Sequence, residues 1–130
     1  MSEPLIRTLD HFVLTVADPE ASAAFYARHL GMVVERFGPE GRLALRFGDQ
    51  KINLHRTGAE FRPHAAHPLA GSADFCLLSA VDVAAIAARL EAGGVAVEDG
   101  PVARTGATGP LVSIYFRDPD GNLVEVSNRR

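Results

Sequence analysis

The stretch LDHFVLTVADPEASAAFYARHLG, running from Leu9 to Gly31, decides the fold. Its first half belongs to Arg7–Val16, which is alternating and rich in β-branched residues, and this predicts a strand. Asp18 then precedes Pro19: an acceptor side chain at the N-cap, followed by a residue whose fixed φ suits the first helical turn. Good helix formers follow as far as Leu30, and Gly31 stands where a left-handed C-terminal cap belongs. A strand running straight into a capped helix opens a βα unit. Ala21, Ala24 and Phe25 are the expected covering residues of that helix.

Downstream, three short strands are predicted at Met32–Phe37, Arg42–Phe47 and Gln50–Arg56, separated by turns at Gly38-Pro39, Gly41 and Gly48-Asp49. From Thr57 to Ser72 the pattern lapses into Gly, Pro, His and Ala, as a surface linker does. The order then restarts. Ala73–Ser79 reads as a strand, Asp82 caps a helix over VDVAAIAARLEAGG, and Val95–Glu98 reads as a strand. Asp99–Pro110, rich in Gly and Pro, is expected to be a loop. Leu111–Arg117 and Asn122–Ser127 form a hairpin across the Asp118-Pro119-Asp120-Gly121 turn. The chain is therefore an α+β fold of two βαβββ modules with pseudo-twofold symmetry, in a single domain spanning residues 1–130. Module one covers about 5–57, the linker 58–72 and module two 73–128.

Strand alternation splits each strand into two faces. Phe12, Leu14, Val16, Ile52, Leu54, Ile114, Phe116, Val124 and Val126 make an apolar face that needs helices to cover it, with Ile86 and Leu90 serving the second. The opposite face carries His11, Asn53, His55, Asp74, Tyr115, Arg117 and Glu125. Two such faces can curl around a shared cavity, and imidazole with carboxylates suits a divalent cation acting as a Lewis acid.

The composition sets limits on function. Thirteen basic residues stand against 16 acidic ones, for a net charge of -3, and the basic residues are scattered. That excludes the electrostatic footprint of a nucleic-acid binder. One cysteine, Cys76, cannot form an internal disulfide, which fits a reducing compartment. No segment approaches the roughly 20 apolar residues of a membrane span. The N-terminus lacks the pattern of a signal peptide. A soluble, cytoplasmic protein without nucleic-acid or membrane partners is expected.

At these residues the chain resembles the vicinal oxygen chelate superfamily, which includes glyoxalase I, bleomycin-resistance proteins, fosfomycin-resistance enzymes and extradiol dioxygenases. The resemblance rests on LDHFVLTVADPEASAAFYARHLGM, ALRFGDQKINLH and YFRDPDGNLVEVSN. It covers nearly the whole chain and is nearest to stand-alone glyoxalase-domain proteins. It implies a U-shaped half-barrel of mixed sheet around a metal, with ligands on the first and last strands of each module. Those positions are His11, Asn53, Asp74 and Glu125. Asp74 stands where glyoxalase I and the dioxygenases carry histidine, and Asn53 where glyoxalase I carries glutamate. The set tilts toward manganese or magnesium rather than zinc, with iron, nickel and zinc kept as the other choices. Tyr115 stands where extradiol dioxygenases also carry a tyrosine, as an acid or hydrogen-bond donor to a bound oxygen.

The resemblance further implies a small-molecule substrate and a homodimer. Glu125 or His55 would move a proton, in isomerase or lyase chemistry. The alternatives are extradiol-type oxygenation, fosfomycin-type thiol transfer, and a metal-free binding protein like those of bleomycin resistance. His64 and His67 fall in the surface linker. Arg117 is expected in an ordinary ion pair. Cys76 shares a face with Asp74 and lacks a base to activate it. Arg104-Thr105-Gly106-Ala107-Thr108-Gly109 is expected to act as a glycine-hinged lid; it lacks the lysine and spacing of a phosphate-binding loop.

Overall fold

The computed structural model describes residues 4–130. Its elements run β1 (His11–Val16), α1 (Pro19–Leu30), β2 (Val33–Phe37), β3 (Arg42–Phe47) and β4 (Gln50–Arg56). They then repeat as β5 (Asp74–Leu78), α2 (Val83–Ala92), β6 (Asp99–Gly106), β7 (Gly109–Arg117) and β8 (Leu123–Arg129). Each half is one four-stranded sheet, ordered β1-β4-β3-β2 and β5-β8-β7-β6. In each the first strand lies parallel to the last, and the remaining pairs are antiparallel. This is the open, two-sheet α+β architecture expected from the element order.

The helix ends follow the local chemistry. Asp18 accepts from the backbone N–H groups of Glu20 and Ala21, and Gly31 closes α1 at φ 69°. Asp82 caps α2 through Ala84 N. Asn128 of β8 holds the same helix start, accepting from Val83 N and donating to the Ser79 and Val81 carbonyls.

The two sheets abut along β1 and β5 without a hydrogen-bonded ladder between them. Phe12 and Phe75, which hold equivalent places in the two modules, meet edge to face with centroids 5.1 Å apart. Leu9, His11 and Phe12 share one cavity with Phe75, Cys76 and Leu77. Val13, Leu14 and Thr15 share another with Ser72 and Ala73. The two strands therefore run side by side in opposite directions.

The helices cover one face of each sheet, and a continuous apolar core forms from both modules, including Leu14, Val16, Ile52, Leu54, Ile86, Leu90, Ile114, Phe116, Val124 and Val126. The covering face of α1 differs from the expectation. Ala21 and Ala24 are exposed; Ser22, Ala23, Tyr26 and His29 are the buried residues, with Phe25 half-buried. Polar side chains can occupy this face because module two supplies their acceptors. Tyr26 donates to Asp118 at 2.6 Å, and Ser22 donates to Asp120.

Two further expectations are corrected. Val95–Glu98 forms no ladder, although Val95 and Val97 pack against the core. The strand is instead Asp99–Gly106, in the stretch expected to be a loop. Its Gly100-Pro101 pair does not end the strand, because β6 is the sheet edge and its register shifts between Asp99 and Val102. Proline is tolerated at such an edge or irregularity. Gly100, at φ 100°, lets the backbone approach β7 so closely that a Cβ would lie 2.2 Å from Ser113 O. The Arg104–Gly109 stretch is accordingly the tip of the β6–β7 hairpin, turning through Ala107 and Thr108.

Candidate functional site

The polar faces lie opposite the helices. On the first sheet the ladder sets Val13 beside Asn53 and Asn53 beside Ala44. His11 shares this face by alternation. Its Nδ1 donates to Asp10 Oδ2 at 2.8 Å, a bond that also holds the Asp10 carboxyl below the usual carboxylate range. With Nδ1 so occupied, Nε2 keeps its lone pair for a metal, the arrangement common around ligating histidines. Asn53 Oδ1 is buried and has no hydrogen-bond partner. A buried acceptor left open is costly and marks a place where a donor or cation belongs.

His55 lies two residues further along, 8% exposed, with Phe61 of the linker packed edge-on against it. Phe61 also stacks on Arg42. Burial, reinforced by Arg42, holds the His55 imidazole below its ordinary pKa and therefore neutral. His64 and His67 are exposed in the linker, as expected, and His67 lines the small cavity beside Val13.

On the second sheet Cys76, Glu125, Tyr115 and Asp99 stand side by side across four strands. Around them runs a hydrogen-bonded set. Ser113 and Ser127 are fully buried and share a 2.6 Å hydrogen bond. Ser127 also meets Cys76 Sγ at 3.2 Å and donates to Glu125 Oε2 at 3.3 Å. Arg104 Nε donates to the Tyr115 hydroxyl at 2.8 Å. Burial raises the Tyr115 pKa, with nearby Glu125 adding to the rise, so this phenol stays protonated. Burial likewise raises that of Cys76, as does the Glu125 charge. A protonated thiol is a poor nucleophile. Asp74 is exposed at the N-terminal end of β5, and Arg117 pairs with Glu98.

The residues singled out from the sequence thus form two half-sets. His11, Asn53 and His55 lie on the first sheet; Asp74, Tyr115 and Glu125 lie on the second. Cys76 is the link between them, lining a cavity with His11 and a different one with Glu125. Among the described residues no three His, Cys, Asp or Glu side chains gather closely enough to hold one ion. The donor types themselves fit a divalent cation. Sequence reading gave Arg104 and Thr108 only a place in a lid, and it missed Arg129. The last was legible, because alternation from Glu125 through Ser127 puts Arg129 on the same face.

Comparison with known proteins agrees with this architecture. The family model of the Glyoxalase/Bleomycin resistance protein/Dioxygenase superfamily matches residues 8–126. The chain is 50% identical over 123 residues to the glyoxalase domain-containing protein RDO1 of Mycosarcoma maydis, covering 95% of this chain and 69% of that protein. It is 46% identical to virulence protein STM3117 of Salmonella typhimurium, covering 95% and 85%. An integron cassette protein from the mobile metagenome of V. cholerae superposes with a TM-score of 0.94 at 49% identity, over 99% and 100% of the two chains. Lactoylglutathione lyase from Agrobacterium tumefaciens gives 0.73 at 26% identity, over 96% of each chain. TnmS3, an antibiotic-binding protein from Streptomyces, gives 0.73 at 28%, over 98% and 100%. Two βαβββ halves packed through equivalent phenylalanines, with polar sheet faces left open and a family match over nearly the whole chain, make this protein a member of the glyoxalase/bleomycin resistance/dioxygenase superfamily.

Proposed function

We propose that the protein is a metal-dependent, glyoxalase-like enzyme acting on a small oxygenated substrate, with isomerase or lyase chemistry. His11, Glu125 and Asp74 would hold a divalent ion, with Asn53 at the fourth position, and two copies of the chain would bring the half-sets together. When bound, such an ion supplies Lewis acidity to two neighbouring substrate oxygens. The observation that carries the reading is the His11–Asp10 hydrogen bond, which fixes the imidazole with Nε2 free. The open Asn53 carbonyl on the same face adds to it. Val13 and Leu78, 43% and 53% exposed on the polar faces beside the seam, give a second copy apolar surface to cover.

The chain's own groups divide the remaining work. Glu125 lines an open cavity and is the better-placed proton acceptor; His55 is neutral but covered by Phe61. Tyr115 keeps its proton and stands beside Glu125 across the β7–β8 ladder, placed to donate to a bound oxygen. Elemental analysis of protein purified without chelator is expected to find a divalent metal, and His11→Ala and Glu125→Ala each to lose it. A metal-free preparation that also fails to take up added manganese, magnesium, iron, nickel or zinc would refute the reading.

Two other readings have specific support. The exposed carboxylate at Asp74 and the amide at Asn53 make a weak ligand set, which favours a metal-free binding protein, and an antibiotic-binding protein shares the fold. Extradiol-type oxygenation is supported by Tyr115 beside Glu125. Oxygen uptake with a catechol separates it from the isomerase reading, which expects none.

A further inference from the structure

We propose that the cavity beneath the β6–β7 hairpin tip holds the carboxylate end of a short aliphatic acid, and that Arg129 is its anchor. The proposal rests on the reading that the face carrying Glu125 is where substrate binds, and it adds the class of that substrate. The cavity, of about 270 Å³, is lined by Glu125 and Arg129 of β8, Thr105 and Thr108 of the hairpin, and Leu78 and Leu111. It is small-molecule space, with a cation at one end, a carboxylate at the other and apolar walls between them.

The charge pairing isolates Arg129. Arg42, Arg46, Arg104 and Arg117, the other arginines on the polar faces, each lie within ion-pair distance of a carboxylate: Glu40, Glu35, Asp99 and Glu98 respectively. Among the described residues Arg129 has no such partner. Its side chain donates to the Thr108 hydroxyl, which leaves the charge uncompensated and the hydroxyl proton free to donate onward. A guanidinium that faces a cavity with no carboxylate within ion-pair distance suits a carboxylate ligand by geometry as well as charge.

The rest of the cavity defines the ligand. One guanidinium, with Glu125 in the same cavity, suits a monoanion and disfavours a phosphate dianion. Glu125 and Arg129 are four residues apart on one strand, about 13 Å at their Cα atoms. Both side chains shorten that span, so a few carbons separate the acid group from the oxygens near Glu125. Leu78 and Leu111 require those carbons to be apolar. The roof is close-fitting: a Cβ on Gly106 would stand 2.8 Å from Leu111 Cδ1 and 3.1 Å from Gly109 O. Gly106 thus lets the hairpin tip seat closely on Leu111, a wall of the cavity.

The test is isothermal titration calorimetry on the full chain with butyrate, valerate and their α-keto analogues. The matching primary amides serve as neutral controls and butyl phosphate as the phosphate arm. The acids are expected to bind in chelator-treated and metal-supplied protein alike. The amides, and the acids with Arg129→Met, should bind at least about tenfold more weakly, the loss of one charge-assisted hydrogen-bonded pair. Arg129→Lys should recover part of the acid preference, and circular dichroism should show each variant folded. No acid binding, equal binding of acid and amide, preference for the phosphate, or unchanged affinity in a folded Arg129→Met would each overturn the proposal. Metal content and uptake measured on protein purified without chelator keep the two claims apart. Bound metal without acid selectivity defeats this inference alone; acid selectivity without metal defeats only the metal-dependent reading.

Discussion

Asp118 is 5% exposed, and its carboxylate collects donors from two modules. It accepts from the Tyr26 hydroxyl, the Asn122 side-chain amide, and the backbone N–H groups of Asp120 and Asn122. The turn types in Asp118-Pro119-Asp120-Gly121 were legible in the sequence, but the partner on α1 was not. Nothing local says that a helix from the other half will bring a phenol to this carboxylate. Burial raises the Tyr26 pKa first and Asp118's charge raises it further, so the phenol remains a donor. Tyr26→Phe is expected to leave a buried acceptor one donor short. The cost should be about 1–3 kcal/mol in urea unfolding, with the fold retained.

At the scale of elements, β6 shows how an edge position overrides local signals. Gly and Pro mark a loop when only neighbouring residues are weighed. Here the edge strand spares Pro101 a ladder bond, and Gly100 admits Ser113 O where a side chain could not fit. Gly100→Ala should therefore destabilise the hairpin on two counts, backbone conformation and overlap with β7. The conformational cost alone is about 1–3 kcal/mol. Thermal unfolding should show a lower midpoint, and amide exchange should show lost protection concentrated in β6 and β7. The helices behave more locally. Asp18→Ala removes the acceptor for two N–H groups of α1 and should cost about 1 kcal/mol by the same unfolding measurement.

For the whole molecule, the buried histidines couple stability to pH. His29 and His55 both have pKa values below the ordinary imidazole value, burial being the first cause in each and neighbouring arginines the next. The folded state therefore binds fewer protons than the unfolded chain below about pH 6.5. Their contribution is fully present above that pH and is lost as pH falls through the folded-state values. Thermal midpoints of chelator-treated protein should fall from pH 7.5 toward pH 5, and His29→Gln should flatten that fall. A midpoint that rises on acidification would contradict the assignment.

The proposed pairing of chains has its own consequence. If each site takes His11 from one copy and Glu125 from the other, co-expressed His11→Ala and Glu125→Ala chains should recover metal. About one quarter of the wild-type sites should be restored, because only mixed pairs contain one intact site. Elemental analysis of the co-purified mixture would show no recovery if both residues served one chain's site.

The sequence by itself determined the element order, the capped starts of both helices, the apolar face of each strand and the polar face carrying His11, Asn53, Asp74 and Glu125. These follow from alternation and capping, which depend on residues a few positions apart. Only the tertiary structure decided which face of α1 is buried, that Asp99–Gly106 is a strand, and that among the described residues no three of the ionisable candidate ligands gather. Each of those turns on what a distant segment supplies. Asp118 and Asp120 make Ser22 and Tyr26 fit for burial, β7 gives β6 its ladder, and the abutment of β1 and β5 sets where the two polar faces point.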